Sequence, residues 1–134
     1  MLMQLRSVVI DTNPEDRALV KNVLVDLGQN VDVCTSFEFC PVFQRQAGQC
    51  QLSSPCYDIQ IVGQTDRSTR AGIDFIHWQR ECGCKLATEN SAAMSDSWST
   101  EQIQIAEGLG IRLFTKPYLV RNLVDWIYRI KNRH

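Results

Sequence analysis

The side chains most able to do chemistry in this sequence are its six cysteines: Cys34, Cys40, Cys50, Cys56, Cys82 and Cys84. Five of them fall into two groups, Cys40-x9-Cys50-x5-Cys56 and Cys82-x-Cys84. Four thiolates can hold a tetrahedral Zn²⁺. Pairs of thiols can instead close into disulfides and act as a redox switch, and separate loop thiols need no joint role. The spacing lacks the Cys-x2-Cys knuckle usual at zinc sites, so all three readings stay open. Histidine adds little. His77 sits beside Trp78 in a helical pattern and reads as a surface residue, and His134 is terminal. No Ser-His-Asp or Cys-His arrangement and no glycine-rich phosphate loop is present, so no enzyme activity is expected.

Six cysteines are more than a domain of this size needs. The 134 residues suit one domain, spanning 1–134, which buries roughly two thirds of its unfolded surface without covalent help. With 44% apolar and 22% charged residues, the composition is that of a globular chain. Fourteen basic and fifteen acidic side chains leave a net charge of -1, which argues against a dedicated nucleic-acid or membrane-surface module. No apolar run approaches the about 18 residues of a membrane span. The apolar stretch at Met1–Ile10 is interrupted by Arg6 and closed by Asp11, with no small-residue cleavage site after it. These features predict a cytoplasmic location and reduced thiols.

The elements that would position those residues alternate. Ser7–Ile10 reads as a buried strand. Asn13 and Pro14 open a helix through Leu27, with Glu15 and Asp16 complementing its dipole and Gly28 stopping it. Val31–Cys34 is a second strand, and Ser36 caps a helix over Phe37–Gln46 whose start Pro41 makes irregular. Ile59–Val62, Ser91–Met94 and Leu113–Thr115 are three further strands. Helices over Ala71–Arg80, from Ser97 to Glu107, and over Leu119–Lys131 separate and follow them. Strand and helix alternate five times. The expected fold is therefore α/β: one doubly wound five-stranded parallel sheet with five flanking helices. Sites in such sheets form at the carboxyl ends of the strands, which singles out Asp11, Thr12, Gly63, Ser95 and Lys116.

At those strand ends the sequence resembles the receiver domain of bacterial two-component response regulators, the CheY-like fold with strand order 2-1-3-4-5. The resemblance covers nearly the whole chain. Its anchors are Val9-Ile10-Asp11-Thr12-Asn13-Pro14, Tyr57-Asp58-Ile59, Ala93-Met94-Ser95 and Phe114-Thr115-Lys116-Pro117-Tyr118. It implies a phosphorelay pocket in which two acidic residues bind Mg²⁺, an aspartate accepts a phosphoryl group, and a hydroxyl and a lysine contact its oxygens. Asp11, Ser95 and Lys116 match. Thr12 replaces the second acidic residue, Gly63 stands at the acceptor position, and Leu113 replaces the reporting aromatic. The resemblance thus implies a pseudo-receiver with Mg²⁺ binding weakened or lost. Lys116 is expected to pair with Asp11, and Asp66 is the one candidate for a substitute acidic residue. Ser95 and Lys116 read as structural remnants around this pocket.

The expected topology also places the cysteines. Cys50 and Cys56 enter the third strand, and Cys82 and Cys84 enter the fourth, which is its neighbour. These four, with Cys40 as a fifth candidate, would meet at the sheet edge opposite the phosphorelay-type pocket and form the candidate Zn²⁺ site. Cys34 reads as a small core residue. Trp98 and Trp126 are either core or interface aromatics. The leading functional expectation is a signalling module that binds a protein partner without phosphorylation. A cysteine-based metal- or redox-sensing domain on the same scaffold is the alternative. The resemblance further implies homodimerisation through the last two helices.

Overall fold

The computed structural model describes residues 4–41, 43, 49–63 and 71–133. The chain runs β1 (Arg6–Ile10), α1 (Pro14–Asp26), β2 (Asn30–Cys34), β3 (Ile59–Val62), α2 (Ala71–Glu81), β4 (Ser91–Ser95), α3 (Thr100–Leu109), β5 (Arg112–Thr115) and α4 (Val120–Arg133), with 3₁₀ turns at Phe37–Phe39 and Thr88–Asn90. All strands pair in parallel, in the order β2-β1-β3-β4-β5. This is the expected α/β sheet.

The sheet is covered on both faces, so its central strands are apolar on both sides rather than alternating. Val9, Ile61, Met94 and Phe114 pack with Val20 and Leu24 of α1 and Leu123, Trp126 and Ile130 of α4. Val8, Ile10, Val62 and Ala93 face the other way, onto Phe37, Ile73, Ile76 and Ala106. Trp126 is a core residue, 5% exposed and edge-on to Phe114. A buried amide pair ties β3 to α2. Gln60 Nε2 donates to Gln79 Oε1 at 2.8 Å, and Gln79 Nε2 returns the bond to Gln60 Oε1 at 3.1 Å.

Helix ends follow local chemistry. Asn13 Oδ1 accepts from the backbone N–H groups of Glu15 and Asp16, with Pro14 in the first turn. Ser99 and Gln102 form a reciprocal capping box on α3. Gly110, at φ 76°, closes that helix in the left-handed conformation.

Four α-helices are described over their whole length, and the expected helix over Phe37–Gln46 differs at its start. An unbroken helix over Phe37–Gln46 does not form. Phe37–Phe39 is a 3₁₀ turn, and Cys40 is extended at φ -82°, ψ 118°. The residue before a proline is driven out of helical space by the ring, and Pro41 follows. Pro41 and Phe43 carry helical backbone, and the remainder of that segment lies outside the described residues. Among the described residues no helix is long and apolar enough to cross a membrane.

Candidate functional site

The strand register aligns the carboxyl ends of β1 and β3. Ile10 lies opposite Val62, so Asp11 and Gly63, the next residues, emerge side by side. The backbone N–H of Gly63 donates to the carbonyl of Ile10 at 2.7 Å. β5 lies beside β4 with Ser95 opposite Thr115, and the N–H of Lys116 donates to the carbonyl of Ser95 at 2.8 Å. The Lys116–Pro117 peptide is cis.

Asp11 is the centre of this pocket and is 2% exposed. Its backbone is held by two bonds: its N–H donates to the carbonyl of Cys34 at 3.0 Å, and its carbonyl accepts from Arg17 Nη1 at 2.8 Å. Its Oδ1 accepts from the Asn13 N–H at 2.9 Å. Its Oδ2 lies 3.6 Å from Lys116 Nζ, so the expected ion pair is present. Lys116 makes a shorter bond elsewhere, donating to Asp16 Oδ2 at 2.7 Å. Burial raises the Asp11 carboxyl above the usual carboxylate range. The Asn13 N–H and the Lys116 charge pull it back, and the Asp16 charge adds to the rise.

The space beside Gly63 is taken. A Cβ placed on Gly63 would overlap Asp11 Oδ2 and lie 2.6 Å from Asp11 Cγ and 3.3 Å from Asp11 Cβ. Real Cβ atoms do not approach that closely. The Asp11 carboxylate therefore occupies the volume in which a side chain at position 63 would begin. The backbone at Gly63 does not itself require glycine, since its φ is not positive.

Thr12 follows Asp11 and is half-buried. Ser95 ends β4, half-buried, and its Oγ accepts from the Ser97 N–H at 3.4 Å in a local turn. Leu113 sits within β5 and packs on the α2–α3 side of the core. Asp66 lies outside the described residues. Asp16 was missed as a pocket residue. Its place in the first turn of α1 reads as a dipole complement, and nothing in the spacing pairs it with a lysine one hundred positions later.

The cysteines gather at the opposite edge of the sheet. Cys40, Cys50, Cys56, Cys82 and Cys84 all line one cavity of about 160 Å³. All six cysteines are free thiols. Cys34 stands apart, at the end of β2. It is half-buried rather than fully in the core, because β2 is an edge strand.

Neither a protein-family model nor any curated protein matches the sequence. Solved structures do. A Francisella response regulator 1452 receiver domain aligns with a TM-score of 0.71 and 16% identity, over 97% of this chain and 98% of that one. A two-component response regulator from Clostridium difficile aligns at 0.70 and 17%, over 97% and 98%. The fold is that of response-regulator receiver domains. A third receiver-fold neighbour, an atypical orphan response regulator described as having a phosphorylation-independent regulatory mechanism, aligns at 0.68 and 19%, over 96% of each chain. In this chain the same end of the sheet carries Asp11 after β1, Gly63 after β3, Ser95 at the end of β4 and Lys116 after β5.

Proposed function

We propose that this chain is a pseudo-receiver: a two-component signalling module that engages a protein partner without aspartyl phosphorylation and is not itself an enzyme. One observation carries the reading. The Asp11 carboxylate fills the volume of the absent side chain at Gly63, and Lys116 is already bonded to Asp16 and paired with Asp11. A receiver lysine meets the incoming phosphoryl group with its charge, whereas here that charge is neutralised within the chain. A phosphorylation-independent regulator among the structural neighbours is consistent with this.

The pocket also suits Mg²⁺ poorly. Mg²⁺ demands near-octahedral oxygen coordination and relies on anionic donors. Thr12 and Gly63 supply no carboxylate, and the two present, Asp11 and Asp16, share the Lys116 ammonium. The side chains of Ile103 on α3 and of Leu119, Val120 and Tyr128 at α4 are exposed and apolar, and they offer contact area for the partner, a second copy of this chain included. The same reading places the module in the cytoplasm.

The test is incubation with Mg²⁺ and a small acyl phosphate, followed by assay for an acid-stable, base-labile adduct. None is expected. Stoichiometric labelling would overturn the proposal, and labelling lost in Asp66→Asn would name the substitute acceptor.

A further inference from the structure

The cysteine-lined cavity is not used by the receiver-type pocket, and its construction is specific. Three separate stretches of chain build it. Cys40 follows the 3₁₀ turn after β2, Cys50 and Cys56 lie in the approach to β3, and Cys82 and Cys84 end α2. Two backbone devices fix the stretches against one another. The Cys50 N–H donates to the Cys82 carbonyl at 2.7 Å, tying the first loop to the second. Gly83, at φ 80°, reverses the chain between Cys82 and Cys84 so that both line the cavity. The N–H of Cys84 reaches back to the Gln79 carbonyl and that of Gly83 to the Arg80 carbonyl, both at 3.0 Å, in a Schellman closure.

The electrostatics of this place favour a cation. The carboxyl end of α2 presents its partial negative charge there. A soft cation bound by these sulfurs would replace their thiol protons and place positive charge at that helix end. Carboxylate and imidazole side chains are absent from the described cavity lining, so the donor set is all sulfur and selects a d¹⁰ thiophilic ion over Mg²⁺ or Ca²⁺. Lys85, whose Nζ donates to the Gly83 carbonyl at 2.8 Å, also lines the cavity and offsets part of the charge of a thiolate complex.

We propose that Cys40, Cys50, Cys82 and Cys84 bind one Zn²⁺ at this edge of the sheet, releasing their thiol protons. Cys56 is the exposed member of the five and lies at the rim. Among the described residues no three metal-ligating side chains surround a common point. The proposed binding therefore requires the sulfurs to turn inward, which would lock the crossover to β3 against the end of α2.

The test uses the full chain, purified under reducing conditions without added metal and titrated with Co²⁺ as a spectroscopic probe and with Zn²⁺ in competition. One Co²⁺ per chain is expected, with sulfur-to-cobalt charge-transfer absorption and the visible bands of a tetrahedral site, bleached by one equivalent of Zn²⁺. Cys50→Ser and Cys82→Ser should each weaken binding by about a hundredfold or more, whereas Cys34→Ser and Cys56→Ser leave it within a few-fold. Circular dichroism of each variant separates lost ligation from lost folding. Should the Cys50 and Cys82 variants both unfold, the wild-type spectrum and its proton release on Zn²⁺ addition decide alone. Absence of a saturable thiolate spectrum, or binding undiminished in folded Cys50→Ser and Cys82→Ser, overturns the proposal.

Discussion

Placing a methyl group on Gly63 tests whether the Asp11 carboxylate truly occupies the acceptor volume. Gly63→Ala puts a Cβ 2.6 Å from Asp11 Cγ and 3.3 Å from its Cβ. Swinging the carboxylate away relieves the first contact but not the second, and it breaks the bond from the Asn13 N–H. Overpacking a tight site costs about 1–3 kcal/mol. Against it stands about 0.4–1 kcal/mol gained because alanine restricts the unfolded chain at a position that does not need glycine. The net expectation runs from about zero to a loss of about 2.6 kcal/mol in urea denaturation, with the denaturant slope unchanged. The second arm is Asp11→Ala, which removes the carboxylate. In that background Gly63→Ala should turn neutral or stabilising, giving a coupling of about 1 kcal/mol or more. A stabilising Gly63→Ala in the wild-type background, or an effect of Gly63→Ala that Asp11→Ala leaves unchanged, would refute the reasoning. Gly63→Asp should lose more than Gly63→Ala, because a second carboxylate then meets the first.

Three other outcomes follow from the same contacts. Lys116→Met leaves Asp11, 2% exposed, without its countercharge and should cost about 1–3 kcal/mol by chemical denaturation, much of it recovered by adding Asp11→Asn. The raised Asp11 carboxyl means the folded state binds more protons than the unfolded state across the interval from its ordinary pKa up to its folded one. This group therefore makes stability fall as pH rises through that interval, and Asp11→Asn should flatten that part of the pH–stability curve. Gln60→Leu strands the buried amide of Gln79 and should cost about 1–3 kcal/mol, whereas Gln60→Leu with Gln79→Leu should recover most of it, as read by thermal melting.

The elements were legible because each carries a local signal. The Ser7–Ile10 and Ile59–Val62 runs read as buried strands, Asn13-Pro14 marks where the first helix begins, and the Ser97–Glu101 stretch contains the true cap of α3, Ser99. The start of the second crossover is irregular, as Pro41 implies, but that Phe37–Phe39 tightens into a 3₁₀ turn before an extended Cys40 is not written in the helical spacing. Strand alternation also brought Asp11, Gly63, Ser95 and Lys116 to one edge of the sheet. What the residues do there was only half readable. That Lys116 would seek Asp11 follows from charge alone, but its shorter bond to Asp16 depends on how α1 packs beside β1. That the Asp11 carboxylate fills the place of a residue-63 side chain is a matter of ångströms, invisible in a string of letters.

The Lys116 bridge also fixes which parts of the chain depend on one another. Asp11 and Asp16 belong to the first strand and helix, whereas the ammonium that balances them comes with the end of β5, one hundred positions after Asp16. Two distant stretches of sequence are thereby stapled across the end of the sheet, so loosening the end of β5 also leaves the buried Asp11 carboxylate without its countercharge.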